Sequence, residues 1–284
     1  DLNDIATRVS HTQQKLSSGK ELTRPSDDPF ATGRAIGLRT ELEGLSQYQR
    51  NVDDAAAWTS VSENALGTIT DIVHSARELL LRGSTGTTSA GERNIIADEI
   101  DSLISAVKDT ANATYAGRSL FSGSATATKP YGTASDAYLG DGGDVVRSIG
   151  PGVSVVVNAR GSDMLGDGTD GKLLNALRDI SAHLRGGTAA DMAALGGSDL
   201  VAIDRSLDNV LNVRAQVGST ASRLQAATGR LAEIEEGVRG LLSKTEDADM
   251  AATMIDYSMQ QSVYQSALRA GAGIVQASLL DFLR

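Results

Sequence analysis

The chain has no cysteine, four prolines, one tryptophan and three histidines, and aromatic side chains make up 4% of its 284 residues. Without cysteine there are no disulfides, thiol nucleophiles, iron–sulfur clusters or thiolate zinc sites. His11, His74 and His183 stand far apart and leave few metal ligands. With so few rings, Ala, Leu, Ile and Val must carry the packing, as in proteins built from long helices. Positive charge is also short: 26 Lys and Arg against 36 Asp and Glu leave a net charge of −10. That sign opposes binding to nucleic acid, whose affinity comes mostly from cationic contacts to phosphate. The apolar runs are only a few residues long, far below the about 20 needed to span a membrane, so no membrane insertion is expected. The first residues show neither the basic nor the apolar region of a cleavable secretory signal. Length is no obstacle to a core, because a compact globule of this size buries roughly 70–75% of its unfolded surface.

What the chain does have is helical period. Leu2, Ile5, Val9, Thr12 and Leu16 repeat at a 3,4 spacing, a stripe that needs a partner helix. It stops at Ser17-Ser18-Gly19-Lys20. Asp28-Pro29 then marks a helix start, since the carboxylate can accept from orphan N–H groups and proline at the first position loses no bond. Leu45, Tyr48, Val52, Ala55, Thr59, Ser62, Leu66, Ile69, Val73, Ala76 and Leu80 hold the heptad up to the glycine-rich segment at 82–86. A further helix is predicted over 92–116, with Ile96, Ile100, Leu103 and Val107 on one face. Residues 117–171 hold 12 of the 30 glycines and two of the four prolines. There the β-branched runs at 145–149 and 153–157, split by Gly150-Pro151-Gly152, predict a hairpin or small sheet. Helical patterns return over 172–185, 199–246 and 249–283, with a weaker segment between the Gly186-Gly187 and Gly196-Gly197 pairs. The expected fold is mainly α with a small β insert: an elongated antiparallel long-helix bundle whose two halves pair, with a β-rich head at the tip.

Few constellations suggest chemistry, and each has a plainer reading. Gly166 to Gly171 and Lys172 meet the glycine and lysine spacing of a phosphate loop, but Leu173 replaces the hydroxyl that holds magnesium. Asp163, Asp167 and Asp170 lack the spacing of a calcium loop and fit solvated turns. Ser17 and Lys20 meet the spacing of serine acyl enzymes without the partner motifs. Asn112-Ala113-Thr114 meets the glycosylation pattern but falls on an amphipathic helix. No catalytic residue, cofactor or metal is therefore expected, and an enzyme or ligand-binding role for the β head has no acid, base and nucleophile cluster behind it. The last helix is the more informative: residues 249–284 carry five charges, against 13 over 199–246. So poorly charged a terminal helix is expected to be covered by other subunits.

Several separate motifs then occur in one order. Leu16-Ser-Ser-Gly-Lys20 and Pro25-Ser-Asp-Asp-Pro29 resemble the N-terminal signature of bacterial flagellins and their hook-associated relatives. Ala111-Asn112 and Gly117-Arg-Ser-Leu-Phe-Ser-Gly123 resemble the segment where their first helical half enters the β region. Tyr138-Leu-Gly-Asp141 and the ending Ser278-Leu-Leu-Asp-Phe-Leu-Arg284 are similar to the hook–filament junction branch. Members usually carry a further stretch before the first heptad, so the N-terminal part of the assembly domain is expected to be absent from this numbering.

The resemblance implies a non-catalytic structural protein of the flagellum, secreted through the flagellar type III channel. The expected division is a terminal assembly domain (1–27 and 249–284), a flagellin-like rod (28–116 and 172–248) and an outward-facing insert (117–171). Its implied partners are neighbouring copies of itself, the other hook–filament junction protein, flagellin, and an export chaperone at the C-terminal helix. The expected assembly interface is Leu2, Ile5, Val9 and Leu16 with Tyr257, Tyr264, Leu268, Val275, Leu279 and Phe282. Asp27, Asp28 and Pro29 form the helix-start turn. A self-polymerising filament subunit is the alternative, using the same helices.

Overall fold

The computed structural model describes the backbone from Leu2 to Phe282 and the side chains as far as Ala270. In chain order it contains α1 (Leu2–Ser18), α2 (Pro29–Gly83), α3 (Ala90–Ala111), β1 (Thr114–Tyr115), β2 (Arg118–Ser119), β3 (Val146–Gly150), β4 (Val153–Val156), α4 (Gly161–Met164), α5 (Leu173–Gly186), α6 (Ala189–Gly196), α7 (Ser198–Glu246) and α8 (Met250–Phe282). The chain divides into two compact units, Asp1–Ser46 with Ala232–Arg284, and Gln47–Leu231.

In the central unit, the heptad of α2 is the core. Val52, Ala55, Thr59, Ser62, Leu66, Ile69, Val73, Ala76 and Leu80 are all buried. The buried hydroxyls do not spoil it: those of Thr59, Ser62 and neighbouring Thr70 donate to Ala55 O, Trp58 O and Leu66 O, at 2.7, 2.9 and 2.7 Å, so none is desolvated without a partner. From α7, Ile203, Val210, Val217 and Leu224 are buried. Arg77 pairs with Asp204 at 2.7 Å and Arg214 with Glu63 at 2.6 Å. Numbers that rise on one helix fall on the other, so the two run antiparallel. Arg214, which breaks the apolar stripe in sequence, is thus a half-exposed cross-link.

Beside this pair, α3 packs on α5. Ile96, Ile100, Ile104 and Val107 are buried with Leu173, Leu174, Leu177, Ile180 and Leu184. Ile104 takes the inward place that spacing assigned to Leu103, which is half-buried. α3 begins with a full capping box, Ser89 and Glu92 bonding each other's backbone N–H. It ends at Ala111, short of the expected 116. The Asn112 carboxamide leaves the helix to bond Tyr131 N and O at 3.1 and 2.9 Å. Ala116 and Gly117 then turn at φ 49 and 76, closing the two-residue ladder of β1 and β2.

Strands are few and short here: β1 with β2, and β3 with β4, both antiparallel. The rest of this segment is held by isolated backbone bonds, such as Asp141 N to Ser122 O at 3.0 Å and Gly161 N to Phe121 O at 2.8 Å, and by side chains. Buried Lys108 donates to Thr133 O, Ser135 O and Asp136 Oδ1 at 3.1, 2.9 and 3.1 Å. Arg178 also grips Asp136 at 2.8 Å, and this guanidinium holds the carboxyl below the usual aspartate range. The β3–β4 hairpin is tied to α2 by Arg147 to Asp54 at 3.0 Å and by Asn51 Nδ2 to Ser148 O at 2.9 Å.

His183 on α5 meets buried Asp199 at the start of α7 at 2.6 Å. That hydrogen bond raises the imidazole's pKa, helped by the negative charges of Asp199, Asp191 and Asp179. Its contribution to stability is complete below the unfolded value of about 6.5 and is lost as pH rises through the higher folded value. The unfolding temperature is therefore expected to fall as pH is raised through that window. His183→Gln should remove this part of the pH dependence and lower the midpoint mainly on the acid side. A thermal melt series over pH reads both.

Candidate assembly site

In the terminal unit α1 packs along α8. Thr12 is buried and its hydroxyl bonds Gln260 Oε1 at 3.0 Å. Ile5 and Arg8 line one groove with Asp256, Met259, Gln260 and Val263. Gly19, just after α1, accepts from Ala248 N, just before α8, so the pair is antiparallel. α1 stops where Gly19 adopts φ 69 and its N–H bonds Lys15 O at 2.9 Å, a left-handed cap that glycine adopts without strain.

The two connectors at the base of the pair are stitched together. Glu21 N donates to Glu246 O at 2.7 Å, and Ala248 N donates to Gly19 O at 3.0 Å. Buried Glu246 is paired with both Lys20, at 2.6 Å, and Arg39, while Lys20 also reaches Asp247 at 2.6 Å. Hydrogen bonds to Asp247 and then Glu246 raise the Lys20 pKa and outweigh its desolvation. Lys20 is thus spoken for structurally, and Ser17 bonds Gln14 O, so the two do not form a catalytic pair.

The helix-start turn is built as its residues suggest. Asp27 Oδ2 accepts from Thr23 Oγ1 at 2.9 Å and Arg24 N at 2.8 Å, and lies 3.4 Å from His11 Nε2. Asp28 Oδ1 accepts from Phe30 N and Ala31 N, both at 2.9 Å, with Pro29 as the first residue of α2. At the head of α8, Asp249 caps Ala251 N and Ala252 N in the same way.

Of the residues expected at an interface, Ile5, Val9, Leu16, Tyr257 and Tyr264 are half-buried, and Leu2 and Leu268 are exposed. Val275, Leu279 and Phe282 lie outside the residues whose side chains are described. At about 100° per residue, the face of α8 turned to α1 runs through Thr253, Asp256, Gln260 and Ala267. The apolar seam therefore sits to one side of that face: Met250, Met254 and Leu268 on one flank. Ile255, Met259 and Val263 form a second strip on the other, and all six are exposed. Spacing missed this second strip, because a single heptad register fitted to α8 follows only one face. Its signal was Ile255, Met259 and Val263 at a spacing of four.

Other motifs are explained by packing. Lys172 donates to Ser162 O at 2.6 Å and Asp167 caps Thr169, so the glycine-rich loop at 166–171 is a set of turns closed on itself. Among the described residues no His, Cys, Asp or Glu group is arranged to hold a metal ion, and no helix is long and apolar enough to cross a membrane. The Tyr138 hydroxyl donates to Phe121 O at 2.9 Å, and burial pushes its pKa up to about 12. A side chain on Gly140 would strike the Tyr138 ring and Ser122 O. Asp141 accepts from Ser124 Oγ and Ser124 N, both at 2.6 Å, and from Gly143 N. Those bonds, that of the Ser124 hydroxyl first, hold its pKa down to about 2.

The sequence matches the family models for the bacterial flagellin N-terminal helical region over residues 1–126 and the bacterial flagellin C-terminal helical region over residues 200–283. It is 27% identical to flagellar hook-associated protein 3 of Escherichia coli, over 94% of this chain and 90% of that protein. It is 29% identical to a flagellin of Bacillus subtilis, over 100% of this chain and 96% of that one. A solved Vibrio parahaemolyticus chain, assigned to the flagellar hook-associated proteins, superposes with a TM-score of 0.72 at 25% identity, covering 78% of this chain and all of that one. The helical frame with two short strand pairs, and the terminal helices packed on each other, define a flagellin-type structural protein. The chain belongs to the bacterial flagellin family.

Removing the Asp28 cap tests the helix-start turn. Asp28→Ala is expected to cost about 0.5–2 kcal/mol. Hydrogen exchange should quicken first at the Phe30 and Ala31 amides, while amides in the middle of α2 keep their protection.

Proposed function

We propose that this chain is a structural adaptor of the bacterial flagellum, seated at the junction between hook and filament and working by helix packing alone. The observation that carries the reading is the double apolar strip on α8. One strip would call for one neighbour and an isologous pair. Two strips flanking the α1 contact call for a neighbour on each side, a heterologous arrangement that closes into rings or winds into helical tubes. Its partners are neighbouring copies, the other junction protein and flagellin, after export to the outside of the cell. Before export, a chaperone covers the C-terminal helix. In this reading residues 1–27 with 249–284 assemble, 28–116 with 172–248 form the rod, and 117–171 face outward.

The junction position is supported by the Tyr138-Leu-Gly-Asp141 segment, by the ending at 278–284 and by the likeness to hook-associated protein 3. The likeness to a Bacillus subtilis flagellin over the whole chain supports the second reading, a self-polymerising filament subunit. Flagellar filament fragments added as seeds, with a precipitating salt, separate the two. The purified chain is expected to remain monomeric and to extend no filament. Long filaments growing from the seeds would make it a flagellin.

Each strip is expected to be needed. Leu268→Asp and Ile255→Asp should each leave the melting profile of the central unit unchanged and abolish incorporation, read as loss of motility in cells that depend on the variant. Wild-type swimming by either would remove that strip from the interface.

A further inference from the structure

We propose that Met250, Met254 and Met259 are a peroxide-sensitive modification site, and that their oxidation to sulfoxide disables the free subunit for assembly while leaving its fold intact. The inference rests on the reading of the α8 strips as the assembly surface. It starts from where the sulfur is. The chain has five methionines. Met164 is buried in the central unit, and Met192 is half-buried on α6. The other three lie within ten residues of α8 and are exposed by 47%, 65% and 61%. With no cysteine present, these thioethers are the most readily oxidised exposed groups of the chain.

Their placement gives the chemistry a consequence. Met250 and Met254 belong to one apolar strip, and Met259 belongs to the other, beside Ile5, Arg8 and Val263. The thioether sulfur attacks hydrogen peroxide. An S–O bond forms, the O–O bond breaks, and the departing hydroxide takes the proton of the new S–OH group to leave as water. Sulfur loses two electrons and the peroxide gains them. The product places a polar, chiral oxygen on a flexible apolar side chain. In water this costs the fold nothing, because none of the three sulfurs is in the core. Under a neighbouring subunit the oxygen must shed its water, a cost that Arg8 can offset beside Met259 but not at Met250 or Met254. Both strips are hit at once, so neither neighbour seats. Once a subunit is seated, the same burial shields the sulfurs. Sensitivity is then confined to the interval between export and incorporation.

The test uses the purified full-length chain and hydrogen peroxide. Peptide mass spectrometry should find one added oxygen on Met250, Met254 and Met259 before any on Met164, with circular dichroism and the melting profile unchanged. Treated chain should then incorporate at isolated hook ends, supplied with the other junction protein, at least tenfold less than untreated chain. Methionine sulfoxide reductases of both stereospecificities should restore it. The triple variant M250L/M254L/M259L, compared only with its own untreated sample, should lose nothing to peroxide. Equal incorporation by a chain with all three sulfoxides mapped would overturn the proposal, as would failure of the reductases to restore it or an equal loss in the triple variant. Should the untreated parent not incorporate at all, the assembly reading fails instead, and the oxidation map still shows whether α8 is the preferred target. Subunits already incorporated should resist oxidation at these three positions.

Discussion

Two backbone hydrogen bonds, Glu21 to Glu246 and Ala248 to Gly19, set the base of the α1–α8 pair in the terminal unit. They join connectors separated by some 226 residues, the spacing of the Lys20–Glu246 pair beside them. Closing a loop of that length in one step costs roughly 5 kcal/mol of chain entropy. The chain need not do so at once. Arg77 with Asp204 and Glu63 with Arg214 span 127 and 151 residues, and Arg39 with Glu246 spans 207. The pairs are nested, so each after the first closes far less than the full span. Buried Glu246, gripped by two cations and using its own carbonyl as acceptor, is where that series ends and where α1 and α8 are set side by side.

That arrangement explains why the last helix is unlike the others. α1 is 17 residues long and covers one face of a helix nearly twice its length. Among the described residues, six large apolar side chains are left over on α8, more than a monomer usually keeps without a use. The net charge of −10 favours solubility of the chain as a whole, yet little of that charge lies on α8. Charge is concentrated in one part of the chain and exposed apolar surface in another.

Much of this was legible because the frame is helical and its periodicity is strict. Most of the stripe written in the sequence for α2 is buried, with Trp58, Ala65, Thr70 and Leu79 buried beside it and Tyr48 half-buried, and Asp28-Pro29 starts the helix at the residue that cap chemistry requires. Legibility failed where tertiary contacts override local pattern. α3 ends early because Asn112 finds Tyr131, 19 residues on, and no local signal distinguishes that asparagine from a helical one. Lys108, charged and on a helix, reads as a solvated residue but is buried under three oxygen acceptors from 133–136. On α8 the single heptad register found one flank and overlooked the other, since apolar side chains stand on both sides of the face that meets α1. The motif Tyr138-Leu-Gly-Asp141 carried a family resemblance before it had a physical meaning. The structure supplies one: a turn in which the tyrosine hydroxyl, the missing glycine side chain and the aspartate carboxylate each close a different contact.

The hairpin of β3 and β4 grips α2 at two places one helical turn apart, through Asn51 and Asp54. A helix usually bends by lengthening the hydrogen bonds on one side of a turn. Here that turn is splinted from outside by a rigid two-stranded arm. Any flexure of α2 is therefore displaced to turns the arm does not touch, and a load applied to the arm enters the helix at one known point. The hairpin then acts as a lever fixed to α2 rather than as an ornament hung from it.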